Sequence, residues 1–288
     1  MELSTFADRS IIVKLRVSKF TPYKRDKAAT QVVERAAGKS RVGNFNKRLL
    51  DGCAAYDHTV EAFNGVYTYW FKNTVPWLDE EGARLLDSRN TLEFLSELRN
   101  RRDAAYAQLR TLEQQWPAII TADMARLGTL ANRDDYPDDI ASKFSVDWAL
   151  RPVANVHDFR CELPEDELVK IQNVAAEAEA RAKQYTIETL LEPVAHAAKR
   201  LAEYTGEKGQ RWHDSVITNI KEVADQAKKL NIMDDPQITQ LIREIDSAVL
   251  AAAFNPTMIK ENPVAKDNLQ ARMDEIARKM GAFMTVRP

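Results

Sequence analysis

Apolar residues recur at steps of three and four along most of this chain, and this spacing limits the folds open to it more than any other feature. The clearest stripe runs from Thr91 to about Gln115, with arginine and glutamate between its leucines. Similar stripes follow Pro164 and continue to Met284. Glycine occurs only nine times in 288 residues, so tight turns are few and elements are long. The pattern predicts long amphipathic helices with coiled-coil-like packing.

Capping residues and prolines suggest where individual helices begin and end. Asp26 to Ala37 has the composition of a short helix that ends at Gly38. Asp234, Asp235 and Pro236 are typical of a helix start. The longer predicted helices span Pro164 to about Tyr204 with a kink near Pro193, Trp212 to Leu230, Pro236 to about Phe254, and Val264 to Met284.

Three short segments alternate between apolar and polar residues, which is typical of strands. They are Ser10–Phe20, Phe144–Leu150 and Phe159–Leu163. The last two predict a hairpin that pairs with the first into a small antiparallel sheet. The predicted class is therefore mainly α within α+β. A boundary near Pro164 divides a mixed basic region, 1–163, from a helical, net acidic region, 164–288, that suits packing or oligomerisation.

The sequence contains no motif of known catalytic or cofactor chemistry. His58, His157, His196 and His213 lack partners at metal-ligand spacing, so we expect no metal site. Ala37–Ser40 lacks the earlier glycine that a phosphate-binding loop requires. We expect a protein that is not an enzyme and has no cofactor. An enzyme of unfamiliar design would instead reveal itself as a polar pocket with convergent titratable groups.

Two features indicate the compartment. No run of about 18 apolar residues occurs, and the first residues lack a signal-peptide pattern, so we expect no membrane span. Cys53 and Cys161 are the only cysteines, too few for a disulfide framework. We expect a cytoplasmic protein.

Positive charge is concentrated near the N-terminus. Between Arg9 and Arg48 the chain has twelve lysines and arginines against Asp26 and Glu34 alone, a charge of +10. The whole chain has a formal charge of −2, so the remainder has −12. Such asymmetry predicts an anionic partner. The alternative is a basic face that pairs with the acidic remainder, within one subunit or between copies.

Aromatic residues lie among these cations, which favours single-stranded DNA as the partner. Lysine and arginine neutralise phosphates, and exposed rings stack on unpaired bases. The predicted contact residues are Lys14, Arg16, Lys19, Phe20, Tyr23, Lys24, Arg25, Lys27, Arg35, Lys39, Arg41, Phe45, Lys47 and Arg48. The competing hypothesis is a helical interaction scaffold that self-assembles or binds a protein partner without nucleic acid.

Several segments also resemble a known family. They are Arg41–Leu50, Asn73–Trp77, Gly82–Leu86, Asp135–Pro137, Phe144–Ser145 and Asp158–Arg160. Together they are similar to the Drc proteins of enquatrovirus-type podoviruses, over most of the chain. The resemblance implies a single-stranded-DNA-binding transcription regulator that acts early in infection of a host cell and assists a phage RNA polymerase. It assigns no binding residues.

We also expect a homo-oligomer, built by the helical second half.

Overall fold

The computed structural model describes residues 4–77, 81–154, 164–203, 215–253 and 263–285. Its helices are α1 (Ser4–Arg9), α2 (Lys27–Ala37), α3 (Ala54–Lys72), α4 (Thr91–Leu127), α5 (Glu165–Glu203), α6 (Ser215–Leu230), α7 (Pro236–Ala253) and α8 (Pro263–Thr285). Its strands are β1 (Ser10–Ser18), β2 (Tyr23–Arg25), β3 (Asn46–Arg48), β4 (Val75–Pro76), β5 (Ala83–Asp87) and β6 (Ser145–Pro152). The predicted class, mainly helical with a small antiparallel sheet, is confirmed.

Four strands form one sheet in the order β4-β5-β1-β6. The β1–β5 register runs antiparallel from Ser10 opposite Asp87 to Lys14 opposite Ala83. The predicted strand at Ser10–Phe20 is β1, and the predicted strand at Phe144–Leu150 falls within β6, its neighbour in the sheet. The third predicted strand, Phe159–Leu163, lies outside the described residues.

The chain forms two compact units, each assembled from separated segments. The first contains Met1–Lys14, Phe71–Leu92 and Ala149–Pro288, and the second contains Leu15–Trp70 and Glu93–Trp148. The boundary near Pro164 that the composition suggested lies inside the first unit.

The core of the first unit is a helical cluster. α5 packs along α6 and α8, and α7 packs on α6 and α8. The seams bury Leu190, Leu201, Ile245 and Met280, each at most 1 % exposed. α5 is one helix that includes Pro193, because the buried face on both sides of the proline favours continuation.

Aromatic rings dominate the core of the second unit. The Phe63 ring lies 5.6 Å from Tyr106 and 5.1 Å from Phe144, measured between centroids. α4 continues well past the predicted end near Gln115 and includes Pro117. Trp116 and Ile120 are buried on either side of the proline, and this packing offsets the lost backbone hydrogen bond.

Candidate nucleic-acid interface

The sequence-predicted binding segment contains a two-stranded ribbon, β2 and β3. Tyr23 lies opposite Arg48, and Arg25 lies opposite Asn46. Residues directly opposite each other, and residues two apart on one strand, share a face of the ribbon. These four side chains are all exposed. We call them the ribbon face: an aromatic ring, two guanidinium groups and an amide on one small surface.

Lys24 and Lys47 occupy the other face of the ribbon, where they lie opposite each other. Lys24 is half-buried, and its Nζ lies 5.6 Å from the centroid of the Phe20 ring. Lys47 is only 6 % exposed. Alternation along these short strands therefore separates the predicted lysines from the exposed ribbon face.

Lys47 is held by the protein itself. Its ammonium lies 2.7 Å from an Asp135 carboxylate oxygen and 3.4 Å from one of Asp26, and it donates to the Leu130 carbonyl at 2.6 Å. Burial lowers the pKa of Lys47, but the hydrogen bonds and charges of Asp135 and Asp26 outweigh it and leave the pKa raised. The ammonium is thus occupied by acceptors of the fold, and the prediction that Lys47 contacts DNA is corrected.

Phe20 also belongs to the core. Its side chain is 6 % exposed and meets Tyr56 and Trp116 edge-on, with centroids 6.4 Å away in both cases. The Tyr56 hydroxyl donates to the Phe20 carbonyl at 2.8 Å, and burial raises the pKa of Tyr56 to about 12. Phe20 is therefore removed from the predicted stacking residues, because its ring faces other rings. Tyr23, at 55 % exposed, and Phe45, at 37 %, remain on the surface.

α2 connects the two strands of the ribbon. The Asp26 carboxylate caps its start by accepting from the Ala29 amide at 2.9 Å, and Gly38 ends it with φ of +64°. The Thr30 hydroxyl, which is buried, accepts from the Phe45 amide at 3.0 Å and so holds the loop beside the helix.

The two acidic residues of the basic segment are both engaged. Asp26 caps α2 and faces Lys47, and the hydrogen bond from the Ala29 amide is the main cause that lowers its pKa. Glu34 accepts from the Arg41 backbone amide at 2.7 Å. Within the part of the chain that the structure describes, neither carboxylate forms an ion pair with the exposed cations of this segment.

The remaining predicted cations differ in their surroundings. Arg48 faces Asp51 at 3.2 Å with both side chains about half exposed, an arrangement that contributes roughly 0–1 kcal/mol. Lys19 donates to the Asn64 side-chain oxygen, and Lys14 is a half-buried residue of β1 in the first unit. Six exposed cations form no ion pair with any residue that the structure describes: Arg16, Arg25, Lys27, Arg35, Lys39 and Arg41.

A buried carboxylate on α4 secures the end of the ribbon, and the sequence reasoning missed it. Asp123 accepts from the Leu50 amide at 2.8 Å, the Tyr136 hydroxyl at 2.6 Å and the Arg126 guanidinium at 2.7 Å. Arg126 also donates to the Arg48 carbonyl at 2.8 Å. Asp123 continues the apolar stripe of α4 three residues after Ile120, and a carboxylate at such a core position is a recognisable signal.

Stability of the second unit should fall at acidic pH through Asp123. Burial raises the pKa of this carboxyl, but hydrogen bonds from Tyr136, Leu50 and Arg126 outweigh it and leave the pKa lowered. A lowered folded-state pKa gives stability that is present above the unfolded value, about 3.9, and lost as pH falls through the folded value. We expect Asp123→Asn to unfold more easily at pH 7 and to lose less stability below pH 4, measured by urea denaturation. An unchanged pH dependence would contradict this assignment.

Among the described residues, no group of three or more histidine, cysteine, aspartate or glutamate side chains is placed to hold a metal ion. In the same part of the chain, every helix is too short or too polar to cross a lipid bilayer. No protein-family model, curated protein or solved structure matches the chain.

Proposed function

We propose that this protein is a non-enzymatic, single-stranded-DNA-binding protein, and that the ribbon face is the centre of its contact surface. One observation carries the proposal. Tyr23 is 55 % exposed on a ribbon face that also presents Arg25 and Arg48, and the chain nearby adds further exposed cations that pair with no carboxylate among the described residues.

Phosphate contacts would supply most of the affinity. Each cation that neutralises a phosphate releases condensed counterions, so affinity falls linearly with salt on a double-logarithmic plot. Six of the exposed cations form no ion pair with a described residue, and the Arg48–Asp51 pair is exposed and weak, so a phosphate contact competes with little inside the protein. Lys47 is unsuited, since it would have to leave Asp26 and Asp135.

Stacking would supply the preference for unpaired bases. An exposed tyrosine can stack on a base only where the base lacks a stacked neighbour, as in a single strand. Phe45 offers a second, less exposed ring at the end of the α2–β3 loop. Asn46, which lies opposite Arg25, has both a donor and an acceptor for a base edge.

The affinity for single-stranded DNA should depend steeply on salt. These six cations, which form no ion pair with a described residue, and Arg48 on the ribbon face give seven possible phosphate contacts, so the slope of log K against log salt can reach about −5 at most. We expect roughly a 100-fold loss of affinity between about 50 and 200 mM salt, measured by fluorescence anisotropy with a labelled oligonucleotide. An affinity that does not change with salt would contradict the phosphate model.

A comparison of strand with duplex isolates the stacking contribution. With oligonucleotides of one sequence, we expect the single strand to bind at least about 10-fold more tightly than the duplex, because stacking contributes roughly 1–3 kcal/mol per base. Equal affinity for the single strand and the duplex would mean that the site binds polyanions in general, without stacking on bases. Absence of any mobility shift with either form would favour the interaction scaffold.

The resemblance to the Drc-like family adds a role to this activity. On that basis we propose a regulator of phage transcription that assists a phage RNA polymerase in the host cytoplasm. Run-off transcription by such a polymerase, with and without the protein, tests this role separately from DNA binding.

A further inference from the structure

Helix α2 turns its apolar side towards solvent. Val32 is 62 % exposed and Val33 is 45 % exposed, and Ala36, one turn after Val32, is also exposed. The single buried residue of this helix is the polar Thr30, whereas surface helices normally bury the apolar side. We call Val32, Val33 and Ala36 the valine surface. Its apolar area is in contact with water, and a ligand that covers it removes that contact.

Cations lie around the valine surface. Four of them are exposed on α2 or in the loop after it, and form no ion pair with a residue that the structure describes: Lys27, Arg35, Lys39 and Arg41. Arg35 is three residues after Val32, a spacing that makes the two neighbours on a helix. The one acid of the helix, Glu34, accepts from the Arg41 amide. A ligand that matches this surface therefore combines apolar groups with several negative charges.

Hydrogen bonds fix α2 beside the ribbon. The Asp26 amide donates to the Phe45 carbonyl at 2.9 Å, and the Phe45 amide donates to the Thr30 hydroxyl at 3.0 Å. Phe45 directly precedes Asn46 of the ribbon face, and Arg25 of that face is two residues before α2. A strand on the ribbon face therefore has the cations of α2 within reach. This continuity favours DNA over an acidic protein segment as the ligand of the valine surface.

Single-stranded DNA matches this surface, because its phosphates are anionic and the faces of its unpaired bases are apolar. We propose that the valine surface is a second base-contact site, and that a strand bound on the ribbon face continues over α2. The inference rests on the proposed function, which places the strand on the ribbon. Bases cover Val32 and Val33, while Arg35 and Lys39 contact phosphates.

The valine surface differs in chemistry from the ribbon face. A valine side chain has no hydrogen-bonding group and no aromatic ring, so it shields a base from water without reading the base edge. The contact therefore adds affinity for a strand of any sequence. It depends on the presence of bases, whereas the contacts of Arg35 and Lys39 depend on phosphates alone, and this difference can be measured.

An abasic oligonucleotide separates base contacts from phosphate contacts, because it keeps the phosphates and lacks the bases. Fluorescence anisotropy of the full chain with normal and abasic single strands of about 15 nucleotides, at about 50 mM salt, tests the proposal. Val32→Ser/Val33→Ser should bind the normal strand about 10-fold more weakly than the wild type, a loss that corresponds to roughly 60 Å² of apolar surface. It should bind the abasic strand as tightly as the wild type does. Serine and valine have similar helix propensities, so α2 should persist.

Two further variants complete the comparison. Val169→Ser/Val174→Ser removes two exposed valines of α5, in the first unit, and should bind both strands as the wild type does. Arg35→Ala/Lys39→Ala removes two of the phosphate contacts and should bind both strands at least about 10-fold more weakly. Circular dichroism checks that each variant is folded.

The outcomes distinguish this inference from the proposed function. Wild-type protein that does not bind the normal strand would overturn both. If the wild type binds that strand and Val32→Ser/Val33→Ser binds it equally well, the valine surface holds no bases and only this inference fails. An equal loss on both strands in the same variant would also overturn it, because the loss would then not come from bases. Full affinity in Arg35→Ala/Lys39→Ala would mean that the strand does not cross α2.

Discussion

Replacing Tyr23, Arg25 and Arg48 together with alanine should lower the affinity for a single-stranded oligonucleotide about 100-fold, because the variant loses a stacking partner and two phosphate contacts. The three side chains share the ribbon face, with Tyr23 directly opposite Arg48. All three are exposed, so their loss should leave the fold intact. The salt slope should also shrink by about 1.4, since each contact with a single strand contributes roughly 0.7.

Matched variants separate this site from general electrostatics. Arg99 and Arg110 are exposed on α4 in the same unit and form no ion pair with the described residues. Replacing both with alanine removes the same charge as the ribbon variant and should change affinity by less than about threefold. Arg126 of α4 contacts Arg48, and Arg110 lies about 24 Å earlier along the helix axis, beyond the roughly 10 Å at which salt screens charges. Tyr67→Ala provides the control for the lost ring, since Tyr67 is 47 % exposed on α3. If the α4 variant binds as poorly as the ribbon variant, the ribbon is not the site.

Lys47→Ala should destabilise the protein by about 3 kcal/mol, because removal of the ammonium leaves the negative charges of Asp26 and Asp135 without their buried counter-ion. The Lys47 ammonium is 2.7 Å from Asp135 and donates to the Leu130 carbonyl, with its side chain only 5 % exposed. Without it, the partly buried carboxylates of Asp135 and Asp26 repel each other. Urea denaturation at pH 7 measures the change in the free energy of unfolding.

The neighbouring residue provides the control. Arg48→Ala breaks an exposed ion pair with Asp51 and should change the free energy of unfolding by less than about 1 kcal/mol. The two variants should therefore differ in the property that they change. Lys47→Ala should mainly lower stability, and Arg48→Ala should mainly lower DNA affinity. A loss of less than 1 kcal/mol in Lys47→Ala would mean that water still reaches the ammonium and screens it.

Local sequence was enough to predict several elements of the proposed binding region. Alternation identified β1, and Asp26 and Gly38 gave the bounds of α2, because a cap carboxylate and a left-handed glycine act within one helical turn. The ribbon itself was not predicted. Strands of three residues are too short for alternation to be recognised. The pairing of β2 with β3 also joins segments that are separated in the sequence by helix α2, so no local pattern indicates it.

What the sequence determined by itself was the helical class, with its period of three and four, and the concentration of positive charge in one segment, since both are properties of adjacent residues. Only the tertiary structure decided which cations are exposed and which rings are buried. Lys47 is buried in an ion pair with Asp135, and the Phe20 ring is buried against Trp116. Both partners lie far along the chain. Burial and ion pairing depend on contacts between segments that are distant in the sequence, and local sequence patterns do not predict these contacts.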